Sequence, residues 1–336
     1  MHPPVSDYAG RSVLVTGGRG YLGSALASAL AGAECSLVLA DRSPAHAWSP
    51  APARARVRIV TADLSRRDSW EALLPGVDIV FHLAGTDYVR DASATALADW
   101  RCNALPVIHM LSVCRESGHR PRIVFASSAN LFGRGSTTPL AEGAPDEPLI
   151  AWSAHKLIAE QELRLHAAEH AVASVALRLA NVYGPSARSE ADERVATNRM
   201  IRDAAQGRPL VLFRNSGCIR DLVFIGDAVD AFLLAGAQAV ADGTYRVIGS
   251  GVPTSFEALC RLTAAKVRAR TGRAVAIAYD FTVPCDTFDS RNFVADASRF
   301  RRETGWNPRV GLEEGIERTL ESLAHGSEVA RAPAGP

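Results

Sequence analysis

The stretch Thr16-Gly17-Gly18-Arg19-Gly20-Tyr21-Leu22-Gly23 has the residue types and spacing to hold an anion. It follows the apolar run Val13-Leu14-Val15 and leads into a helical pattern from Leu22 to Leu30, so it reads as strand, glycine turn, helix. Glycine at 17 and 20 lets the backbone turn tightly and approach a pyrophosphate. Gly23 lets the helix pack on the strand, and the helix N-terminus then faces the anion. A second apolar strand, Cys35 to Ala40, ends at Asp41. That is roughly the 20 residues downstream at which a carboxylate can hold an adenosine ribose through its hydroxyls. The spacing favours NAD as cofactor. Arg42 follows directly and can pair with a 2′-phosphate, so NADP stays open. The competing reading is a tight strand-helix turn with no guest.

A second group could move protons. The chain holds 37 Lys plus Arg, yet lysine stands only at 156 and 266, so arginine supplies nearly every surface cation and an ammonium at Lys156 looks specifically required. In Trp152-Ser153-Ala154-His155-Lys156, positions 152 and 156 are about 400° apart on a helix and share a face. His155 titrates near neutrality and lies about 60° from Trp152 around that helix. Tyr88 and Asp87 sit in the loop Gly85-Thr86-Asp87-Tyr88, after the fourth apolar run. The bland readings are a packing histidine for His155, a pocket wall for Tyr88 and a loop cap for Asp87.

These residues need a scaffold, and the chain supplies alternation. Strand-like runs continue at Val57 to Thr61, Ile79 to Leu83, Ile123 to Ala126 and Val175 to Leu179. Helical patterns lie between them at Arg66 to Leu74, Ala92 to Ser117 and Ala154 to Ala168. Such alternation predicts a parallel α/β sheet whose ligands sit at the carboxyl edge. The Pro- and Ala-rich stretch from Pro44 to Ala55 reads as a surface loop. After Gly184-Pro185 the alternation fails.

With 336 residues, 47% hydrophobic, 22% charged and a formal net charge of +1, the composition fits one enzyme with an appended lobe. Nothing in it marks a nucleic-acid or membrane partner. Cys35, Cys102, Cys114, Cys218, Cys260 and Cys285 show no CxxC pairing, which points to reduced thiols, a cytoplasmic protein and no metal site.

Further residues resemble a known family. Asp63-Leu64, His82-Leu83-Ala84-Gly85, Asn103, Ser127-Ser128 and Arg178-Leu179-Ala180-Asn181-Val182-Tyr183-Gly184-Pro185 occur in the order found in extended short-chain dehydrogenases. With Arg220-Asp221-Leu222-Val223-Phe224 and Gly305-Trp306-Asn307-Pro308 they resemble the NAD-dependent epimerase/dehydratase family that works on nucleotide sugars. The likeness implies an α/β fold with a Rossmann-type doubly wound parallel sheet and a smaller C-terminal α/β substrate lobe. Its expected limits are an NAD-binding domain over 11–185 with later segments returning to it, a substrate lobe mainly over 186–325, and a disordered tail over 326–336.

The resemblance also implies roles. Gly17, Gly20, Tyr21 and Leu22 would wrap the pyrophosphate, Asp41 the adenosine ribose, and Asp63 with Leu64 the adenine edge. Leu83, Ala84, Gly85 and Asn103 would border the middle of the cofactor, and Lys156 would hold the nicotinamide-ribose hydroxyls. Ser128 would polarise a substrate oxygen, and Asn181, Arg220 and Arg291 would face the substrate diphosphate and nucleotide. The departure is Trp152, where the family has a tyrosine four residues before the lysine. A phenol exchanges its proton; an indole N–H only donates.

Three functional readings follow. The first is an NAD(P)-dependent epimerase or reductase for a nucleotide sugar or related carbinol, with His155, Tyr88 or Asp87 taking over proton transfer. The second is a dinucleotide-binding protein without redox activity. The third is a tailoring enzyme of specialised metabolism with altered chemistry on a non-sugar substrate. The helices at 92–117 and 154–168 lie where relatives form a four-helix interface, which implies a homodimer.

Overall fold

A computed structural model describes residues 5–42, 50, 53–86, 96–136, 138–169, 172–185, 195–238, 240–283 and 290–331, with side chains up to residue 324. In chain order its first half runs β1 (Ser12–Thr16), α1 (Tyr21–Leu30), β2 (Ser36–Asp41), β3 (Arg56–Thr61), α2 (Arg67–Leu73), β4 (Ile79–His82), α3 (Ala96–Asn103), α4 (Leu105–Ser117), β5 (Arg122–Ser128), α5 (Ala151–Ala168) and β6 (Ala173–Leu179). The second half adds β7 (Asn181–Tyr183), α6 (Ala196–Ala205), β8 (Leu210–Leu212), β9 (Ile219–Phe224), α7 (Ile225–Ala237), β10 (Tyr245–Ile248), β11 (Pro253–Ser255), α8 (Phe256–Thr271), β12 (Ile277–Tyr279), α9 (Ser298–Thr304) and α10 (Leu312–Arg331).

One seven-stranded sheet has the order β10-β6-β5-β4-β1-β2-β3, with every neighbouring pair parallel. Strand β1 lies between β2 and β4, so the order reverses there, at the switch point where such sheets bind ligands. The register sets Thr16 beside Ala40 on one side and His82 on the other, while Phe125 lies beside His82. The carboxyl ends of β1, β2 and β4 therefore finish together, with β5 extending past them to Ser128.

Both faces of the central strands are covered, which is why β1, β2 and β4 read as continuous apolar runs, whereas edge strand β3 carries Arg56 and Arg58. Val13, Val15, Leu37, Leu39 and Phe81 pack toward α1 and α7 with Leu26 and Phe232. Their alternates Leu14, Val38 and Val80 pack toward α2 and α4 with Trp70 and Met110. Outside this sheet, β11-β9-β7 and β12-β8 form two small sheets around a third core of Tyr183, Ile201, Leu210, Leu222 and Leu259. Strand β10 and helix α7, both from beyond residue 185, return to the large sheet.

Three boundaries differ from the sequence reading. The pattern from Ala92 to Ser117 is broken at Ala104 into α3 and α4, and Pro106 stands in the first turn of α4, where its missing N–H costs nothing. Helix α5 begins at Ala151 instead of Ala154. Ser153 closes its first turn by donating to Ile150 O (2.9 Å) and accepting from Ile150 N–H (3.4 Å). Helix α10 runs past residue 326 to Arg331. Among the described residues no helix is long and apolar enough to cross a membrane.

Candidate active site

The glycine turn is pressed onto the loop after β4. Gly17 has φ +63°, and a Cβ there would lie 2.8 Å from Ala84 N, so a side chain would force the two segments apart. The turn is closed by Gly17 N–H to Ala40 O (2.8 Å) and Gly20 N–H to Gly17 O (2.9 Å). Underneath, the Thr16 hydroxyl bonds His82 Nδ1 at 2.7 Å and accepts from Ala84 N–H at 3.3 Å. His82 is fully buried between Trp70 and Phe125. Burial, and then the charge of Lys156, push its imidazole down to about 3, so it stays neutral.

Around this turn Asp41 accepts from Arg19 N–H at 3.3 Å. Arg42 reaches Cys102 Sγ of α3 at 3.5 Å. Asp63 is held below the usual carboxylate range by the Ser65 hydroxyl, and Leu64 O accepts from Trp70 Nε1 at 3.0 Å. The Tyr21 hydroxyl donates to Gly184 O (2.8 Å), tying the first turn of α1 to the end of β7, and Leu22 packs into the adjoining cores.

At the far end of the same loop, Thr86 organises a polar cluster. Its hydroxyl donates to Asp99 Oδ1 (3.0 Å) and accepts from the Asn103 amide (2.8 Å), which also donates to Asp99 Oδ1 (2.8 Å). The Trp152 indole donates to Thr86 O at 2.6 Å. His155 Nδ1 meets Asp99 Oδ2 at 2.5 Å. Lys156 donates to Ala126 O at 3.1 Å and lies 4.7 Å from the centre of the Phe125 ring. Gly85 is wedged between them: a Cβ there would stand 2.8 Å from Asn103 Oδ1 and 3.2 Å from Lys156 Nζ. The other lysine, Lys266, is clamped by Glu313 and Glu317 at 3.2 and 3.3 Å.

Ser127 and Ser128 diverge at the end of β5. Ser127 donates to the buried Glu160, while Ser128 accepts from Asn130 N–H (3.2 Å) at the strand's open end. Glu160, one turn beyond Lys156, binds Arg178 of β6 through Nη2 at 2.6 Å and Nε at 3.0 Å. Arg178 also reaches Asp146 at 2.5 Å and stacks 3.6 Å from the centre of the Tyr245 ring.

Around the two small sheets lies a cavity of about 550 Å³ lined by Asn181, Met200, Phe213, Asn215, Arg220 and Phe256 among others. Arg220 Nη1 donates to Ile219 O at 3.0 Å and to Arg291 O, bringing the backbone of Arg291 to the same place. Asp221 lies on the opposite face of β9 and accepts from Ser250, Gly251 and Ala295 N–H groups. A larger cavity of about 700 Å³ opens at the other end of the large sheet, between Arg11, Glu34, Arg54, Arg56 and Asp78, and contains none of the site residues.

The structure therefore gathers Trp152, His155 and Lys156 around the Thr86 cluster and Gly85, while Ser128 ends the neighbouring strand β5. Tyr88 and Asp87 lie outside the described residues. Sequence reasoning missed Thr86 and Asp99, although Asp99 stands four residues before Asn103 and so shares its helical face. It also missed that Arg178 and Glu160 form one buried pair. Among the described residues no group of three or more His, Cys, Asp or Glu could hold a metal ion.

Comparison with known proteins agrees with this geometry. The chain is 31% identical over 338 residues to the UDP-glucose 4-epimerase of Azospirillum brasilense, covering 96% of this chain and 94% of that protein. It is 28% identical over 320 residues to the UDP-glucose 4-epimerase of Mycolicibacterium smegmatis, covering 94% and 99%. The solved structure of MoeE5 in complex with UDP-glucose and NAD superposes with a TM-score of 0.80 at 28% identity, covering 94% of this chain and 99% of that one. Residues 13–249 match the model of one family, and the chain belongs to it: the NAD dependent epimerase/dehydratase family.

Proposed function

We propose that this protein is an NAD-dependent enzyme that works at a secondary carbinol of a nucleotide sugar, by epimerisation or ketone reduction. The observation that carries the reading is the convergence at the loop after β4. One end of that loop is pressed on the glycine turn at Gly17, and the other is wedged at Gly85 against Asn103 and Lys156. A dinucleotide fits this cradle. Gly17 leaves its backbone exposed to a pyrophosphate, with the N-terminal turn of α1 at Gly20, Tyr21 and Leu22 behind it. Asp41 ends the neighbouring strand where the adenosine ribose would lie, and Asp63 with Leu64 borders the adenine. Arg42 is drawn to Cys102 and lies beside Asp63, which supports NAD over NADP.

When bound, the dinucleotide accepts a hydrogen with its electron pair from the carbinol carbon and can return it. The chain's own residues do the rest. Leu83 to Gly85 border the middle of the cofactor and Lys156 holds its nicotinamide ribose. Ser128 polarises the substrate oxygen, and Trp152, fixed to Thr86 O, walls the cleft in place of the family's phenol. Asn181, Arg220 and Arg291 face the nucleotide and diphosphate.

Arg220→Ala tests the substrate half. Losing a hydrogen-bonded charge at a phosphate should cost about 1.5–3 kcal/mol, or roughly 10- to 100-fold in UDP affinity by calorimetry. Affinity within a factor of two would remove Arg220 from the site. Incubation with NAD or NADH and a panel of nucleotide sugars tests the reaction, and complete inactivity would count against it.

The protein is also read as a cytoplasmic homodimer. Ile158 and Leu165, seven residues apart on α5, share a face and are 37% and 56% exposed, as is Leu97 of α3 at 63%. Leu165→Glu should shift the particle from dimer to monomer in light scattering while leaving its circular dichroism unchanged. The free thiols at Cys35, Cys102, Cys114, Cys218 and Cys260 fit a reducing compartment.

A further inference from the structure

We propose that Asp99 and His155 form the proton-transfer pair of this active site, with His155 as acid and base and Asp99 as the group that positions it. The inference rests on the nucleotide-sugar reading above and names the residue that completes it. A carbinol cannot be oxidised, nor a ketone reduced, unless some group takes or gives the oxygen's proton. Trp152 cannot do so, because an indole N–H only donates and this one is already directed to Thr86 O.

The structure places an imidazole and a carboxylate together within one turn of that indole. His155 Nδ1 lies 2.5 Å from Asp99 Oδ2, and the two side chains are only 15% and 14% exposed. A carboxylate accepting from Nδ1–H fixes the ring's tautomer and rotation and leaves Nε2 as the atom that exchanges a proton. Asp99 is itself fixed, since Oδ1 accepts from the Thr86 hydroxyl and the Asn103 amide. Those bonds fasten the pair to the loop that carries Gly85, and hence to the cofactor edge. A histidine present only for packing would need no carboxylate held by two further donors. The Trp100 ring, edge-on at 5.6 Å, closes one side of the imidazole.

Among the described residues the charged groups on the elements packed against His155 include these. Helix α3 presents Asp99 and Arg101. On its own helix, Lys156 turns its ammonium to Ala126 O and Glu160 is paired with Arg178. On α4, which also packs against α5, Arg115 lies 3.6 Å from Glu169 and Glu116 binds Arg67, leaving His109 as the other titratable imidazole. The described part of the loop after β4 gives Thr86, which is neutral.

In the oxidative direction the carbinol O–H bond breaks and its proton forms an N–H bond at His155 Nε2. The O–H electron pair becomes the second bond of the carbonyl as the carbon gives up a hydrogen with two electrons to the nicotinamide dinucleotide, the oxidant of the reading above. Asp99 stabilises the imidazolium, and the reverse step returns the proton.

The test uses the full-length protein with NAD and UDP-glucose as probes. His155→Gln should lower kcat by about 10²- to 10⁴-fold and change the shape of the pH profile, with UDP affinity unchanged. In parallel, ¹⁵N-histidine spectra should show the His155 Nε2 signal shifting when UDP-glucose is added, and the Nδ1–H tautomer losing its dominance in Asp99→Asn. An unchanged rate and pH profile in His155→Gln, or an Nε2 signal indifferent to UDP-glucose in a protein that binds it, would overturn the pair. A wild-type protein that binds neither NAD nor UDP-glucose would instead overturn the functional reading. Should His155→Gln fail to fold, Asp99→Asn carries the same rate and spectral tests.

Discussion

Glu160→Ala is expected to destabilise the protein by about 3–5 kcal/mol, the usual cost of leaving a buried partner charge uncompensated. Arg178 is 1% exposed and Glu160 7%, and three nitrogen-oxygen contacts of 2.6 to 3.2 Å join them. Burial pushes the Glu160 carboxyl above its ordinary range while Arg178 and the Ser127 hydroxyl hold it down, so its charge depends on these partners. Without Glu160, the guanidinium keeps only Asp146, which is 28% exposed, and the ring faces of Phe132 and Tyr245. Ser127 loses its acceptor as well. Urea unfolding followed by circular dichroism measures the loss, and a change under 1 kcal/mol would show that the pair is not the brace between α5 and β6. The effect reaches the site, because Glu160 and Lys156 are successive turns of one helix.

Lys156→Met is expected to weaken NAD binding by about 1.5–3 kcal/mol, the range for hydrogen bonds to a charged group, or roughly 10- to 100-fold, and to lower turnover with it. Methionine keeps the length of the side chain and fits over Phe125, so the fold should persist and the loss can be assigned to the ammonium. Lys156→Arg should not rescue it. The space between Gly85 and Ala126 admits a compact Nζ at 3.1 Å from Ala126 O, and a planar guanidinium is broader and directs its donors differently. Stopped-flow kinetics with NADH fluorescence reads both quantities. If Lys156→Met keeps its biological activity with NAD still bound, the protein uses the dinucleotide as structure, and the non-redox alternative replaces the enzyme.

Much of this architecture was legible because strand periodicity and glycine punctuation are local. The runs at β1 to β6 needed only apolar residues bounded by turns, and the pairing of Trp152 with Lys156 needed only the helical repeat. What escaped was set by contacts distant in sequence. The break between α3 and α4 sits at Ala104, whose neighbours carry a helical pattern on both sides, with only Pro106 as a signal. Asp99 read as one acidic residue among 36 Asp plus Glu until the fold brought α3 against α5 and showed His155 across from it. Tyr21 read as part of a phosphate loop, yet its hydroxyl reaches 163 residues along the chain to Gly184. Arg178 and Glu160 likewise lie on separate elements, and no pattern within either one announces the other.

The scarcity of lysine has a practical side. Of the chain's two ε-amines, Lys266 is shackled to a pair of glutamates and Lys156 is buried beside Ala126 and Gly85. An isotope-tagged methyl group placed on amines would therefore mark, besides the chain terminus, one reference position and one position beside the chemistry. The protein carries its own spectroscopic observer of the proposed site, with no engineered cysteine or foreign dye.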